Sequence, residues 1–288
     1  MLLAELKAEL QGLLEDEFPG SGDIECDVLL RYVLQVSSSE LILRYPLPVK
    51  KRHQTKLRQL VQRRLNYEPL DYIVKTSEFL GQVFHVKPGV LIPRDETEGL
   101  VVQGIAHIKS LLLETIEDNF LGFECGYGSG IISILLGKSF PQSQWHAYDI
   151  SKTAYRLAQK NAAVHGVKNV NFVYGDFFEK VKSFYRKRKP VIVVSNPPYI
   201  KSGDIGALDE SVVNHEPLEA LDGGESGVEF YERLFGEMRF KACFVLVELG
   251  YLQADEVVMI AEKNGYKKVS IYDDLKGIER VGVFKRGM

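Results

Sequence analysis

The sequence predicts a two-domain protein, in which a large α/β domain with a mostly parallel sheet follows a small all-helical domain. From Asp95 onward, apolar segments of strand length alternate with segments of helical periodicity, which is typical of a parallel sheet covered on both faces. Before residue 75, leucines recur at helical spacing. A chain of 288 residues with 45% hydrophobic content can form one large and one small core.

Four helices are predicted in the first 75 residues. The first carries leucines at helical spacing and ends before Pro19, where proline and glycine interrupt the pattern. The others are predicted at Asp27 to Val36, at Glu40 to Tyr45 with Ser38 or Ser39 as the N-cap, and at Lys50 to Asn66. In residues 76–92, apolar residues on both sides of Gly81-Gln82 predict a β-hairpin that links the two domains.

Residues 93–288 form the predicted α/β domain. Its helices are expected at Glu96 to Ile108, Lys152 to Val164, Gly227 to Met238 and Ala254 to Asn264. Apolar strands separate them, and Cys243 to Glu248 is one of these strands.

A glycine-rich turn follows the first predicted strand of this domain, residues 119–125. Gly126, Gly128 and Gly130 lead directly into a buried helix, which makes a nucleotide-binding corner. The next strand, residues 144–149, ends in Asp149 about twenty residues beyond the glycines, the offset at which a carboxylate accepts both ribose hydroxyls. After a third strand, Asp176 is placed to accept an adenine amino group, and Phe177 to stack on the ring.

The apolar strand Val191 to Ser195 ends in the sequence Asn196-Pro197-Pro198-Tyr199. Two prolines fix two φ angles and remove two donors, so the Asn196 side chain and the Pro197 carbonyl present acceptors that are set before a substrate arrives. An amino or amide NH2 can donate to both. Tyr199 adds a flat apolar face and a ring quadrupole for a nearby sulfonium. The motif predicts methylation of a planar nitrogen; the structural alternative is a proline-rich turn.

Together these motifs resemble the class I S-adenosylmethionine-dependent methyltransferases, whose Rossmann-like fold we therefore expect, and in particular the HemK-type glutamine-N5 methyltransferases of peptide chain release factors. The resemblance extends to Gly89 to Arg94 with Thr97-Glu98, to the loop His215 to Gly227, and to Glu279 to Val281. Two positions depart from the family pattern. Glu124 stands where aspartate is usual, and no proline follows Arg94.

The resemblance implies the roles of individual residues. The cofactor-binding residues are expected to be Glu124, Gly126, Tyr127, Gly128, Ser129, Gly130, Asp149, Asp176, Phe177 and Asn196. The substrate amide is expected to contact Asn196, Pro197, Pro198 and Tyr199, of which Asn196, Pro197 and Tyr199 are the predicted catalytic residues. Glu124 is expected to hold the methionine end of S-adenosylmethionine.

The predicted reaction is a direct SN2 methyl transfer to the side-chain amide nitrogen of a protein glutamine. Asn196 and Pro197 would orient and polarise that nitrogen, and the proton would be lost to water. The resemblance implies the Gly-Gly-Gln loop of release factors as the substrate. Two alternatives remain, namely a methyltransferase acting on a ribosomal-protein glutamine or on adenine, and a non-catalytic dinucleotide-binding module, which would leave Asn196 to Tyr199 without a purpose.

Composition limits the partners. A formal net charge of -3 argues against nucleic acid as a direct substrate. The cysteines, Cys26, Cys125 and Cys243, are far apart and are interpreted as buried thiols of a reducing compartment, without a metal.

With no signal peptide or membrane span in the sequence, we expect a cytoplasmic monomer. The basic helix at Lys50 to Arg64 is either the surface that recognises the protein substrate or an ordinary solvated face.

Overall fold

The computed structural model describes residues 1–114, 120–184, 190–238 and 243–286. The chain divides into two compact units. Unit 1 comprises Met1–Thr76 and Asp209–His215, and unit 2 comprises Ser77–Leu208 and Glu216–Met288. Among the helices in the described ranges, none has both the length and the apolar composition needed to cross a bilayer.

Unit 1 is helical, as the sequence predicts. Its helices are α1 (Leu3–Glu17), α2 (Gly22–Leu34), α3 (Ser38–Arg44), α4 (Lys51–Leu65), α5 (Leu70–Val74) and the later α10 (Glu210–His215). Four leucines of α1 are buried in one cluster with leucines of α2 and α4, namely Leu3, Leu6, Leu10 and Leu14, whereas Leu13 is exposed. The predicted cap of α3 is wrong by one residue, because Ser37 accepts from the Glu40 backbone N–H at 3.3 Å while Glu40 accepts from the Ser37 N–H at 2.7 Å.

The basic residues of α4 fall into two groups. Three arginines form ion pairs inside unit 1: Arg58 with Glu9, Arg63 with Glu68 and Arg64 with Glu25. The Arg64 guanidinium also lies 3.6 Å from the centre of the Phe18 ring. These arginines therefore contribute to the packing of unit 1. Within the described residues, the basic side chains at the start of the helix make no ion pair: Lys50, Lys51, Arg52 and Lys56.

A two-stranded hairpin follows α5 in the chain, with strands β1 (Thr76–Phe79) and β2 (Gln82–His85). Its turn residues Leu80 and Gly81 have φ values of 49° and 67°. In unit 2, Phe79 and Phe84 are buried in the core. The Asn161 side chain accepts from the His85 N–H at 2.9 Å and donates to the His85 carbonyl at 3.0 Å, which fixes the second strand.

Unit 2 contains a seven-stranded sheet in the order β5-β4-β3-β6-β7-β9-β8. The parallel strands are β3 (Leu121–Cys125), β4 (Gln144–Asp149), β5 (Val170–Tyr174), β6 (Val191–Ser195) and β7 (Cys243–Glu248). The strands β8 (Tyr266–Asp273) and β9 (Glu279–Arg286) pair antiparallel at one edge, which the sequence pattern did not predict. Because the chain leaves β3 toward β4 on one side and reaches β6 on the other, the strand order reverses at β3.

Helices cover both faces of the sheet, and the predicted α/β fold is confirmed. They are α6 (Glu98–Glu114), α7 (Ile131–Ser139), α8 (Lys152–Val164), α9 (Phe177–Lys180), α11 (Glu229–Glu237) and α12 (Ala254–Lys263). Side chains of β6 alternate between two hydrophobic cores: Ile192 and Val194 join one, and Val191 and Val193 join the other. A strand buried on both faces is expected to be apolar, as Val191 to Val194 are; Ser195, the last residue of β6, is buried with its hydroxyl donating to the Cys125 carbonyl at 2.7 Å.

Candidate functional site

A cavity of about 500 Å³ opens in unit 2 where the parallel strands end. This is the size of a small-molecule site, and it lies at the point where the strand order reverses. Ten predicted site residues line it: Glu124, Gly126, Tyr127, Gly128, Ser129, Asp149, Asp176, Phe177, Asn196 and Pro198. Three other predicted residues, Gly130, Pro197 and Tyr199, are not among the residues that line it.

The glycine-rich turn after β3 forms one wall of the cavity. Gly130 ends the turn with φ of +82°, and a Cβ at this position would lie 2.8 Å from the Ala158 Cβ and 3.1 Å from the Phe172 ring. Only glycine allows α7 to begin this close to α8 and β5. The role of Gly130 is therefore packing behind the cavity wall.

Asp149, at the end of β4, fastens this turn. Its Oδ2 accepts from the Gly128 N–H at 2.9 Å, and its Oδ1 accepts from the Ser151 N–H at 2.8 Å. Burial raises the pKa of Asp149, and the two N–H donors oppose this rise. Each oxygen retains a lone pair for a ligand hydroxyl. The carboxylate thus shapes the turn and also lines the cavity.

Glu124 lies at the end of β3 and is completely buried. Its Oε2 accepts from the Ser133 N–H at 3.0 Å and from the Ser133 hydroxyl. Its Oε1 is buried and has no hydrogen-bond partner in the described part of the chain. Burial raises the pKa of Glu124 to about 8, against the Ser133 bonds and with a small contribution from Asp149. A buried acceptor that borders a cavity and lacks a partner fits a cationic ligand group, such as an ammonium.

Asp176 caps α9 at the far side of the cavity. Its Oδ1 accepts from the Glu179 N–H at 3.1 Å, and its Oδ2 pairs with Arg233 Nη1 at 3.0 Å. Arg233 and Phe178 also line the cavity, and the Arg233 guanidinium stacks on the Phe178 ring at 4.1 Å from its centre. Neither residue was predicted from the sequence. Their charge and apolar character are typical of a helix face, so the sequence carried no signal for them.

Phe177 is buried and also lines the cavity. Its ring packs edge-on against Tyr148, with centroids 5.7 Å apart. The predicted contacts of Asp176 and Phe177 with adenine remain predictions.

Asn196 follows β6 and begins a chain of side-chain hydrogen bonds. Its Nδ2 donates to Thr97 Oγ1 at 3.0 Å, and the Thr97 hydroxyl donates to Glu248 Oε2 at 2.6 Å. The Tyr199 hydroxyl donates to Glu248 Oε1 at 3.0 Å. Glu248, at the end of β7, is only 1% exposed, and this burial raises its pKa. Sequence analysis assigned no role to Thr97 or Glu248 and expected Tyr199 to offer its ring.

The segment after Tyr199 is held by the glycine-containing loop from Leu221 to Gly227. The Ile200 N–H donates to the Leu221 carbonyl at 3.0 Å, and the Gly223 N–H donates back to the Ile200 carbonyl at 2.8 Å. A Cβ at Gly223 would lie 2.8 Å from the Tyr199 Cα. Glycine at 223 therefore lets the two backbones touch, which fixes the turn that carries Asn196.

An ion pair between Arg94 and Glu216 joins two further segments that carry the family resemblance, at the cavity wall. Glu216 Oε2 accepts from the Ile92 N–H at 3.1 Å, and its Oε1 is paired with Arg94. Ile92, Arg94 and Pro217 all line the cavity. The ion pair therefore ties two distant parts of the sequence into one wall.

The described residues contain no group of three or more His, Cys, Asp or Glu side chains arranged to hold a metal ion. Cys26 and Cys125 are free and buried, and burial raises the pKa of both thiols. The side chain of Cys243 lies outside the part of the chain that the structure describes.

The sequence matches two family models, the PrmC N-terminal domain over residues 5–74 and the methyltransferase small domain over residues 104–223. Similar curated proteins include the release factor glutamine methyltransferase of Clostridium botulinum, which is 33% identical over 98% of both chains. That of Thermodesulfovibrio yellowstonii is 32% identical over 91% of this chain and 92% of its own.

Among solved structures, the hMettl16 catalytic domain in complex with MAT2A 3′UTR hairpin 1 matches 96% of this chain and 91% of its own, with a TM-score of 0.53 and 13% identity. An identity this low shows a shared fold and nothing further. The curated relatives are similar in sequence over nearly their whole length. By that similarity, the chain belongs to the release factor glutamine methyltransferase family.

Proposed function

We propose that this protein transfers a methyl group from S-adenosylmethionine to the side-chain amide nitrogen of the glutamine in the Gly-Gly-Gln motif of peptide chain release factors. The observation that carries the proposal is a single cavity with two different acceptors. The unpartnered Glu124 Oε1 suits an ammonium, and Asn196 suits an NH2 group. A methyl donor that carries an ammonium and an acceptor that carries an NH2 group fit this pair.

S-adenosylmethionine supplies a methyl group bound to a sulfonium sulfur. Glu124 would accept from its ammonium, Asp149 from its ribose hydroxyls, and the Asp176 and Phe177 end of the cavity would hold the adenine. Asp149 can do this because each of its oxygens has only one protein donor. The cavity, of about 500 Å³, has the volume of a small-molecule site.

An amide nitrogen is a poor nucleophile because its lone pair is delocalised into the carbonyl. The Asn196 Oδ1 and the Pro197 carbonyl would accept its two N–H bonds and aim the nitrogen at the methyl carbon. The N–C bond forms as the methyl–sulfur bond breaks, and the nitrogen then loses one proton to water. Alignment of this kind lowers a barrier by up to roughly 7 to 11 kcal/mol, and the acceptors also stabilise the positive charge that develops on nitrogen.

Unit 1 would recognise the protein substrate. Every residue assigned to the cofactor or the amide belongs to unit 2, and a glutamine on a short loop offers little surface for discrimination. Among the described basic residues of α4 and its N-cap, those without an ion pair lie at the start of the helix, because the arginines later in the helix are already paired. We infer that Lys50, Lys51, Arg52 and Lys56 attract an acidic region of the release factor to a monomeric enzyme in the cytoplasm.

Methylation of defined substrates tests this function. The protein is incubated with labelled S-adenosylmethionine and, separately, with a release factor, its Gln-to-Ala loop variant, ribosomal proteins and DNA. We expect label only in the intact release factor, on the glutamine side chain by peptide fragmentation. Label in ribosomal protein or in DNA instead would contradict the proposal and support the alternative substrates.

A further inference from the structure

A connected chain of hydrogen bonds leads from the cavity wall into the protein: Asn196 and Thr97 line the cavity, and Glu248 and Tyr199 do not. We propose that Glu248 is a positioning residue that acts through Thr97 and determines which end of the Asn196 amide is presented to the substrate. The inference rests on the proposed function, because it concerns how the substrate NH2 finds an acceptor. It assigns a role to a buried acid that touches neither ligand.

The first step is a count of protons. Burial raises the pKa of Glu248, whereas the donors Thr97 and Tyr199 and the charge of Arg280 favour its ionised form. An ionised carboxylate has no proton to donate, so both of its oxygens accept. The hydroxyl of Thr97, 2.6 Å from Oε2, has a single proton, and that proton points at Glu248. Toward Asn196, Thr97 Oγ1 therefore offers only lone pairs. The charged acceptor makes this bond stronger than the neutral bond between Asn196 and Thr97.

The second step fixes the Asn196 amide. Facing an acceptor, Asn196 must turn its NH2 toward Thr97, as the 3.0 Å contact shows. Its Oδ1 then lies on the other side of the planar amide and accepts no hydrogen bond from any described residue. If the Asn196 amide were rotated by 180°, its Oδ1 would face the lone pairs of Thr97 Oγ1, which places two acceptors together. Its NH2 would then face the NH2 of the substrate, which places two donors together. Glu248 thereby keeps an acceptor available for the transferring nitrogen.

The third step concerns the other end of the motif. Tyr199 donates to the second Glu248 oxygen at 3.0 Å. One carboxylate thus holds both the first and the last residue of the Asn196-Pro197-Pro198-Tyr199 turn. Arg280, which donates to the Leu249 carbonyl at 3.2 Å, is the nearby cation that lowers the cost of burying the charge. With both oxygens in use, Glu248 has a structural reason to be an acid and not an amide.

Paired substitutions at Thr97 and Glu248 test the inference. Thr97→Val keeps the shape and removes the hydroxyl, whereas Thr97→Ser keeps the hydroxyl. Glu248→Gln keeps the shape and gives Thr97 a donor, which allows the amide of Asn196 to reverse. We expect Thr97→Val and Glu248→Gln to lower kcat by about 10- to 100-fold, with KM for S-adenosylmethionine within about threefold of the native value. Thr97→Ser should keep most of the native kcat. Glu256→Gln, a substitution at an exposed position of α12, serves as the matched control for Glu248→Gln.

A readout without catalysis separates this inference from the proposed function. The side-chain amide protons of Asn196, assigned by comparison with Asn196→Ala, are followed by NMR in the ligand-free protein. We expect their shifts to be shared by the native protein and Thr97→Ser and to change in Thr97→Val and Glu248→Gln. Unchanged shifts in Glu248→Gln, a kcat that survives Thr97→Val, or equal losses in Thr97→Ser and Thr97→Val would overturn the inference. Absence of release factor methylation by the native enzyme would instead overturn the proposed function.

Discussion

Two buried glutamates stand at the carboxyl ends of parallel strands, Glu124 near the end of β3 and Glu248 as the last residue of β7, and their surroundings differ in one respect. Both oxygens of Glu248 accept hydrogen bonds from the protein, from Thr97 and Tyr199. Only one oxygen of Glu124 does so; the other has no partner in the described chain, and Glu124 is one of the residues that line the cavity. The pKa of each is raised, and burial is the main cause in both cases.

The difference teaches that burial and a raised pKa do not identify the role of an acid. The number of protein donors adds the missing information, because a buried oxygen without a donor is free to accept from a ligand, whereas Glu248 already has a protein donor on each oxygen. We therefore assign binding to Glu124 and positioning to Glu248. The following predictions separate these roles, from the largest expected effect to the smallest.

Asn196→Ala removes the acceptor that Glu248 is inferred to hold in place. We expect the activation free energy of methyl transfer to rise by about 2 to 4 kcal/mol and kcat to fall accordingly, because the transferring nitrogen loses one of its two acceptors. Binding of S-adenosylhomocysteine, measured by titration calorimetry, should change little. Near-native kcat in this variant would contradict the role of Asn196 and remove the reason for the Glu248 chain.

Glu124→Gln tests the acid with the free oxygen. The amide can keep its oxygen toward Ser133, which places its NH2 where the ligand ammonium belongs. We expect S-adenosylhomocysteine to bind more weakly by about 1.5 to 3 kcal/mol, the range for a bond to a charged group. Titration calorimetry measures this directly, and an unchanged affinity would show that the ammonium lies elsewhere.

The pH dependence of binding sharpens the same assignment. With its pKa raised to about 8, Glu124 in the ligand-free protein is protonated below that pH, and a proton must leave before the carboxylate can accept from the ammonium. Affinity for S-adenosylhomocysteine should therefore fall as pH is lowered from 8 to 6, by up to about tenfold per pH unit. The affinity of Glu124→Gln for S-adenosylhomocysteine should change less with pH than the affinity of the native protein does. An equal pH dependence in the two proteins would assign it to another group.

Tyr199→Phe removes one of the two donors to Glu248 and leaves the ring in place. Thr97 still fixes the direction of the Asn196 amide, so we expect kcat to fall by only about 2- to 10-fold, equivalent to one ordinary hydrogen bond. Steady-state kinetics beside Thr97→Val provide the comparison. A larger loss in Tyr199→Phe than in Thr97→Val would mean that the phenol acts on the substrate directly.

Much of the fold was predictable because its pattern is local. The bounds predicted for α8 and β7 match the structure, since a regular periodicity and an unbroken apolar run each define one element. The antiparallel pair β8 and β9 was missed because most of β8 is polar or exposed. Ser37 was missed as a cap because its signal is the glutamate three residues later, and neighbouring serines offered the same chemistry.

The candidate site was predictable where a residue ends a parallel strand or directly follows one. Asp149 and Asn196 meet at one cavity because the carboxyl ends of parallel strands share one edge of the sheet. Thr97 and Glu248 were not assigned because their bond joins residues 151 positions apart, and a glutamate that ends an apolar run looks like the end of a strand. Contacts of that kind exist only in the folded chain.

The most direct measurement compares Glu124→Gln with Glu248→Gln in the same two assays, calorimetry with S-adenosylhomocysteine and single-turnover methyl transfer to a release factor at saturating cofactor. We expect a crossed result. Glu124→Gln should weaken binding by roughly 10- to 100-fold, whereas Glu248→Gln should bind as the native protein does and transfer the methyl group about 10- to 100-fold more slowly. If both variants lose affinity alike, or if Glu248→Gln transfers at the native rate, the two buried acids do not have the separate roles assigned here.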